Sequence, residues 1–288
     1  MRLTTFSDPA AFELAARAFF TAHEAQYNLL AGLTATLIER PDAYGSATPY
    51  LAVVHDDAGE VALVALRTPP HRLVLSAASA PALEVLIAGV RKRWESLPGV
   101  LAPTATARAF ADLWQRATGE GTVKVRAERI YELTAVVPPR LVPGQLVEAT
   151  AADRQLLVDW MEGFTADAHG VRDRRAAERA IDLRLTSRPA GLHFWVDGEP
   201  VCMAGASGPT ATGIRVSVVY TPPGRRGRGY ASACVAALSQ HLLDSGRERC
   251  FLFTDQANST SNSIYQALGY RPVCEMAEIR LAPPSSGR

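Results

Sequence analysis

Apolar positions along the chain change their period several times, and each change marks an element. Over residues 8–38 they recur at helical spacing, with Phe12, Leu14, Ala15, Phe19 and Phe20 behind a cap at Ser7 or Asp8. That length holds two helices. Three short apolar runs follow, 50–54, 61–66 and 73–75, divided by a turn at 57–59 and by Pro69-Pro70, and predict an antiparallel meander. Helical spacing returns over 82–96 and 106–117 with a short strand at 99–102 between them. The half closes on strands around 123–125 and 130–137, before Pro138-Pro139.

After a linker that holds Pro138, Pro139, Pro143 and Gly144 the same order recurs. Helical sequence over 152–185 leads to apolar runs at 192–196, 201–206 and 214–220. A helix over 230–243 places Val235, Leu238 and Leu242 on one face and stops at Gly246. A buried strand at 250–254, a helix over 260–268 ended by Gly269, and a strand over 275–281 complete the half, which ends at Pro283-Pro284. The closing strands of the two halves, Ile130-Tyr-Glu-Leu-Thr and Met276-Ala-Glu-Ile-Arg, both alternate and both run to a proline pair. This reads as a weak internal duplication of element order, with a chance match of generic α/β pattern as the alternative because few identical residues align. The expectation is an α/β chain of two consecutive mixed-sheet domains, 1–140 and 141–288, a size that suits two domains.

Composition adds limits. Hydrophobic residues make up 48% and charged residues 20%, enough for each half to bury a core. Lys and Arg total 30 against 29 Asp and Glu, a formal charge of +1, which removes any whole-protein electrostatic case for nucleic acid or a membrane surface. Any basic site must be local. Cys202, Cys234, Cys250 and Cys274 show no C-x-x-C spacing and mostly sit inside apolar runs. They read as reduced, buried thiols rather than metal ligands. With no run of 18 apolar residues, a soluble, cytoplasmic protein is expected.

One local basic site stands out. Thr221-Pro-Pro-Gly-Arg-Arg-Gly-Arg-Gly-Tyr-Ala231 crowds three glycines and three arginines between an apolar strand and a helix. A helix N-terminus leaves N–H groups without partners and adds the positive end of the macrodipole, so anions bind there. Gly227 and Gly229 permit the turn that lets those groups converge, and Arg225, Arg226 and Arg228 add charge-assisted donors. The stretch reads as a pyrophosphate cradle, with a solvated Arg/Gly loop as the plainer alternative. No lysine completes a P-loop, and Ser232 stands where a dinucleotide fingerprint needs its third glycine.

The flanking residues narrow the reading. Arg226-Gly-Arg-Gly-Tyr-Ala231 matches the R-x-x-G-x-A loop, and Asn258, Ser261, Ile264, Tyr265, Leu268, Gly269 and Tyr270 match the second motif, of the GNAT (Gcn5-related) N-acetyltransferases. Residues 190–281 resemble the acyl-CoA-binding half of that family. The resemblance implies a tandem of two acyl-CoA N-acyltransferase (GNAT-like) domains with acetyl-CoA as cosubstrate. It implies that main-chain groups of Val218, Val219 and Tyr220 pair with the pantetheine arm, that 225–231 hold the diphosphate, and that Tyr230, Asn258 and Ser261 border the cofactor. Tyr265 is then the general acid for the departing thiolate, or an aromatic that packs against the cofactor; Asn258 has capping of the following helix as its other role. Many relatives carry a glutamate on or beside the strand that here reads Ile214 to Tyr220, and this one has no carboxylate. Glu162, Asp167, His169 and Asp255 are candidates for the base, and a water chain is another.

The first half departs further. Between the run 73–75 and its helix lies Ser76-Ala-Ala-Ser-Ala-Pro81, without glycine or arginine, so this half is expected to be degenerate and one acyl-CoA to bind per chain. Arg91, Lys92 and Arg93 read as a solvated helix end before an anion site. The acceptor implied is the amine of a small molecule or a peptide. The first half either walls the acceptor pocket or supports a homodimer. The competing class is an acyl-CoA-binding sensor or scaffold without turnover.

Overall fold

The computed structural model describes residues 1–186 and 191–282. They divide into two compact units, the first of residues 1–130, 254–257 and the segment from Val273, the second of residues 131–253 and 258–272. Pro283-Pro284 lies outside the described residues.

In the first unit β1 (Arg2–Phe6), β2 (Tyr50–His55), β3 (Val61–Arg67), β4 (Leu73–Leu75) and β5 (Gly99–Pro103) lie side by side in that order, followed by β12 (Arg271–Ala282). Only β4 and β5 run parallel. Alternation along β2 decides which face each side chain serves. Tyr50, Ala52 and Val54 join the core under α3 (Ala80–Arg91) and α4 (Thr104–Thr118), and Leu51 and Val53 join the one under α1 (Pro9–Ala22) and α2 (Glu24–Glu39). Asp8 caps α1 through Ala10 N and Ala11 N, as its position before Pro9 suggests. β6 (Gly121–Leu133) is one long strand where two were expected, and α3 stops at Arg91, short of the expected 96.

The second unit orders its strands β11 (Arg249–Asp255), β10 (Gly213–Tyr220), β9 (Glu199–Ser207), β8 (Gly191–Asp197) and β7 (Gln145–Glu148). β10 and β11 are parallel and the rest antiparallel. One face packs on α7 (Tyr230–Asp244) and α8 (Ser259–Ala267), the other on α5 (Arg154–His169) and α6 (Arg174–Leu185). Each half of the sequence therefore runs β-α-α-β-β-β-α-β-α-β. The short strands β1 and β7 that open the two halves had no expectation from the pattern, because neither contributes a fully buried residue.

The linker lies along the second unit. Trp195 Nε1 donates to Pro143 O at 2.9 Å, and Gly144 at φ +118° leaves a Cβ no room, since one would stand 2.5 Å from that same Nε1. Cys202, Cys234 and Cys250 are buried free thiols, and Cys274 is half-buried. Among the described residues no helix is long and apolar enough to cross a membrane, and no cluster of His, Cys, Asp and Glu is placed to hold a metal ion.

Candidate functional site

Along β10 the backbone breaks the regular ladder on both edges. The parallel pairing with β11 runs from Gly213 to Arg215 and goes no further. On the other edge the register with β9 shifts between Ser217 and Tyr220. Val218 there has φ +48°, a region that β-branched residues rarely enter. The bulge resets the alternation: Ile214 and Val216 pack on the α7 side, Val218 and Tyr220 on the α5 side, and Val219 turns back toward α7. A bulge leaves main-chain groups without ladder partners, and here it stands where the neighbouring strand has ended its pairing.

β10 leads through the short 3-10 turn Pro223–Arg225 into the glycine turn. Gly227 and Gly229 have φ +74° and +86°, and Gly229 is the N-cap of α7 with no side chain capping the helix. Its first-turn N–H groups are therefore open to an anion. A Cβ on Gly227 would meet nothing within 4 Å, whereas one on Gly229 would touch Val142 Cγ1 at 3.0 Å. A cavity of about 680 Å³ opens over this turn. Its walls are Gly227 to Tyr230 with Ser232, the linker from Pro139 to Pro143, Asp197, Ile264 and Ala267 of α8, and Leu268 just past it.

The three arginines are not equivalent. Arg225 is paired with Glu199, and Arg226 with Asp167 while its Nε donates to Thr221 O at 2.9 Å. Arg228 lines the cavity, reaches Gly224 O at 3.5 Å and the Tyr230 phenol, and among the described residues has no carboxylate in ion-pair contact. Tyr230, the first residue of α7, donates from its hydroxyl to Asp197 Oδ2 at 2.7 Å, which raises the phenol's pKa. Ala231 follows it, half-buried in the first turn.

Tyr265 stands on α8, buried in the core shared with α7 and edge-on to Tyr270 at 5.9 Å. Burial, and then the neighbouring Cys202, push its pKa up to about 12 against a hydrogen bond from Ser261. Ser261 and Tyr265 do meet at i and i+4. Asn258 caps α8, its side chain accepting from Ser261 N at 3.0 Å, so the capping role is the one the structure displays. Asp197 and Cys202 border this site without having been expected there. Asp197 reads in the sequence only as half of an Asp-Gly turn, and Cys202 only as an apolar strand position.

The candidate bases fare otherwise. Glu162 is held by Arg174, Asp167 by Arg226, and Asp255 by Arg126 while it accepts from Ala257 N. The side chain of His169 lies outside the described residues.

In the first unit the matching turn serves its own fold. Ala77 N donates to Tyr27 Oη at 3.3 Å and Ala78 N to Thr106 Oγ1 at 3.2 Å, so side chains of this unit take the main-chain donors that follow β4.

Residues 207–279, from the end of β9 into β12, match the family model described as FR47-like protein. Among solved structures the chain is similar to a Drosophila protein at 15% identity and a TM-score of 0.70, covering 98% of this chain and 99% of that one. A GCN5-related N-acetyltransferase from Sphaerobacter thermophilus is 16% identical with a TM-score of 0.60, over 98% of this chain and 96% of that one. An acetyltransferase of the GNAT family from Colwellia psychrerythraea is 11% identical with a TM-score of 0.56, over 98% and 100%. No curated protein matches the chain.

Proposed function

We propose, for a chain with the GCN5-related N-acetyltransferase fold along its length and an FR47-like segment across its cavity, that the second unit transfers an acetyl group from acetyl-CoA to a primary amine of a small molecule or peptide, directly within a ternary complex. One observation carries this reading: the bulged stretch of β10 at Val218 and Val219, outside the ladder on both edges, is followed through the short 3-10 turn Pro223–Arg225 by an uncapped helix N-terminus. An extended arm that ends in a diphosphate finds unpaired main-chain groups along that stretch and at its end. The open space over Gly227 fits a phosphate's close approach. In the first unit the corresponding donors are taken by Tyr27 and Thr106, which supports one acyl-CoA per chain.

Acetyl-CoA supplies an activated acyl thioester with a thiolate leaving group. Around it, an N–H of the Val218–Val219–Tyr220 stretch is the donor for the thioester carbonyl. Main-chain N–H groups of 227–231 hold the diphosphate, with Arg228 as the cation already in the cavity. Arg225 and Arg226 contribute only by exchanging Glu199 and Asp167 for the phosphates.

Tyr265 keeps its proton at any physiological pH, since burial sets its pKa at about 12. Full transfer to a thiolate whose thiol has a pKa of about 8.5 is uphill by roughly 5 kcal/mol. The phenol therefore donates a hydrogen bond to the departing sulfur. The proton that ends on sulfur is the one the attacking amine loses. With Glu162, Asp167 and Asp255 each ion-paired, that proton leaves through water.

The same ion pairs, with the absence of a carboxylate on β10, favour a second reading, an acyl-CoA-binding sensor without turnover. Incubating the protein with acetyl-CoA and a panel of amines while titrating released thiol separates the two. Acceptor-dependent thiol release that falls in Tyr265→Phe, with coenzyme A affinity kept, supports the transferase. Tight coenzyme A binding without release on any amine supports the sensor. Thermal protection by ATP or NAD but none by coenzyme A rejects both.

A further inference from the structure

The first unit carries a cationic cluster of its own. Arg67, the last residue of β3, is only 6% exposed. Its Nε donates to His71 O at 2.8 Å, while its Nη1 is buried with no partner. Tyr50 stands opposite Arg67 in the β2–β3 register, and its hydroxyl is likewise buried with no partner. Trp94, just past α3, has the Arg67 guanidinium 4.3 Å and the Arg93 guanidinium 4.9 Å from its ring centroid. Arg93 is fixed by Thr48 O and Pro49 O, at 2.9 and 3.3 Å. Among the described residues neither arginine has a carboxylate partner.

A buried guanidinium without a counter-ion is strongly unfavourable, and a second cation beside it makes it more so. Burial and then Arg93 lower the pKa of Arg67, the mark of a charge the fold does not compensate. Stacking on Trp94 offsets part of this but supplies no negative charge. The basic run at the end of α3 thus serves two purposes. Arg91 and Lys92 are exposed as a solvated helix end, whereas Arg93 turns back over Trp94 and Tyr50.

We propose that Arg67, Arg93 and the Tyr50 hydroxyl form a binding site for a small oxyanion, a carboxylate or phosphoryl group, beside the Trp94 ring. The anion accepts from Arg67 Nη1 and from Tyr50 Oη and supplies the missing charge. The site belongs to the first unit and does not depend on acetyl transfer in the second.

Thermal unfolding of the full chain in chloride buffer tests it, with inorganic phosphate titrated in one arm and acetate in the other. The wild-type melting temperature is expected to climb with the anion. Arg67→Met should melt no lower than wild type without added anion, because it removes an uncompensated charge, and should gain nothing beyond any response of the α7 turn, which is the same in both proteins. A response to phosphate alone assigns a phosphoryl ligand; a response to both assigns an oxyanion for which a carboxylate suffices. Arg93→Gln, at an exposed position, keeps the fold and should bind the effective anion about tenfold more weakly. The proposal is overturned if wild type and Arg67→Met respond alike, if Arg67→Met melts lower in chloride alone, or if Arg93→Gln binds with unchanged affinity.

Discussion

A single phenol shows how burial sets both chemistry and stability. Tyr265 has a pKa of about 12 in the folded chain, against about 10 for an unfolded tyrosine. The unfolded chain loses this proton first, so the stabilisation is complete below pH 10 and drains away as pH rises from 10 to 12. That separation between the folded and unfolded phenol corresponds to roughly 3 kcal/mol. Urea unfolding across that range should show Tyr265→Phe losing about that much less than wild type, and parallel curves would contradict the assignment. Tyr50 is also held at about 12, but it is present in both proteins and cancels. Among the arginines the structure separates roles that the sequence could not. The glycines and arginines of 224–229 are legible because their job is local, a turn with no Cβ in the way. Glu199 and Asp167, which bind Arg225 and Arg226, stand 26 and 59 positions away and follow no spacing rule. Arg228→Gln is therefore expected to weaken coenzyme A binding about tenfold. Arg226→Gln should weaken it less, because that cation must first leave Asp167. Calorimetric titration of the two variants checks the order, and equal losses would place both arginines on the phosphates.

At the scale of elements, strand and helix periods carried most of the fold. The run 214–220 reads as an ordinary strand, which would put Ile214, Val216, Val218 and Tyr220 on one face. The bulge sends the last two to the other. Nothing in Val216-Ser-Val-Val-Tyr220 announces it, because a β-branched residue is poorly suited to φ +48° and a glycine there would have been the usual signal. A strained valine, kept by the packing around it, is a feature of tertiary structure alone. It has a measurable consequence. Val216 and Val218 are both buried, at 2% and 7% exposure, so replacing either with glycine loses similar apolar packing. Val216→Gly should cost about 3 kcal/mol through lost burial and added backbone freedom. Val218→Gly regains the backbone strain, of order 1–3 kcal/mol, and should cost about 2 kcal/mol less. Chemical denaturation of the pair decides this, and equal losses would mean that the bulge stores no strain.

On the scale of the whole molecule, the recurrence of element order was visible in the sequence, since each half repeats its hydrophobic periods in the same succession. What periodicity does not encode is the neighbour a strand will choose. β12 follows α8 in the second half of the sequence, yet it pairs antiparallel with β5, from Met276↔Pro103 to Arg280↔Gly99, inside the first unit. Its alternation shows only that one face is buried; Ala277, Ile279 and Leu281 turn out to fill the core beneath α3 and α4. Glu278, on the other face, meets Arg72 at 2.8 Å. A chain that stops after Pro272 would strip those three side chains from the first unit and expose an edge of β5. By area, burying Ile279, Leu281 and Ala277 contributes about 5 kcal/mol, which is comparable with the whole stability of a modest domain. Removing 273–288, or expressing 1–140 alone, should therefore leave the first unit largely unfolded at 25 °C. Limited proteolysis with mass spectrometry reads this directly: cleavage is expected to spread into residues 50–110, a region that stays protected in the full chain. A truncated chain as resistant there as wild type would show that β1 to β5 and their helices hold a core without β12.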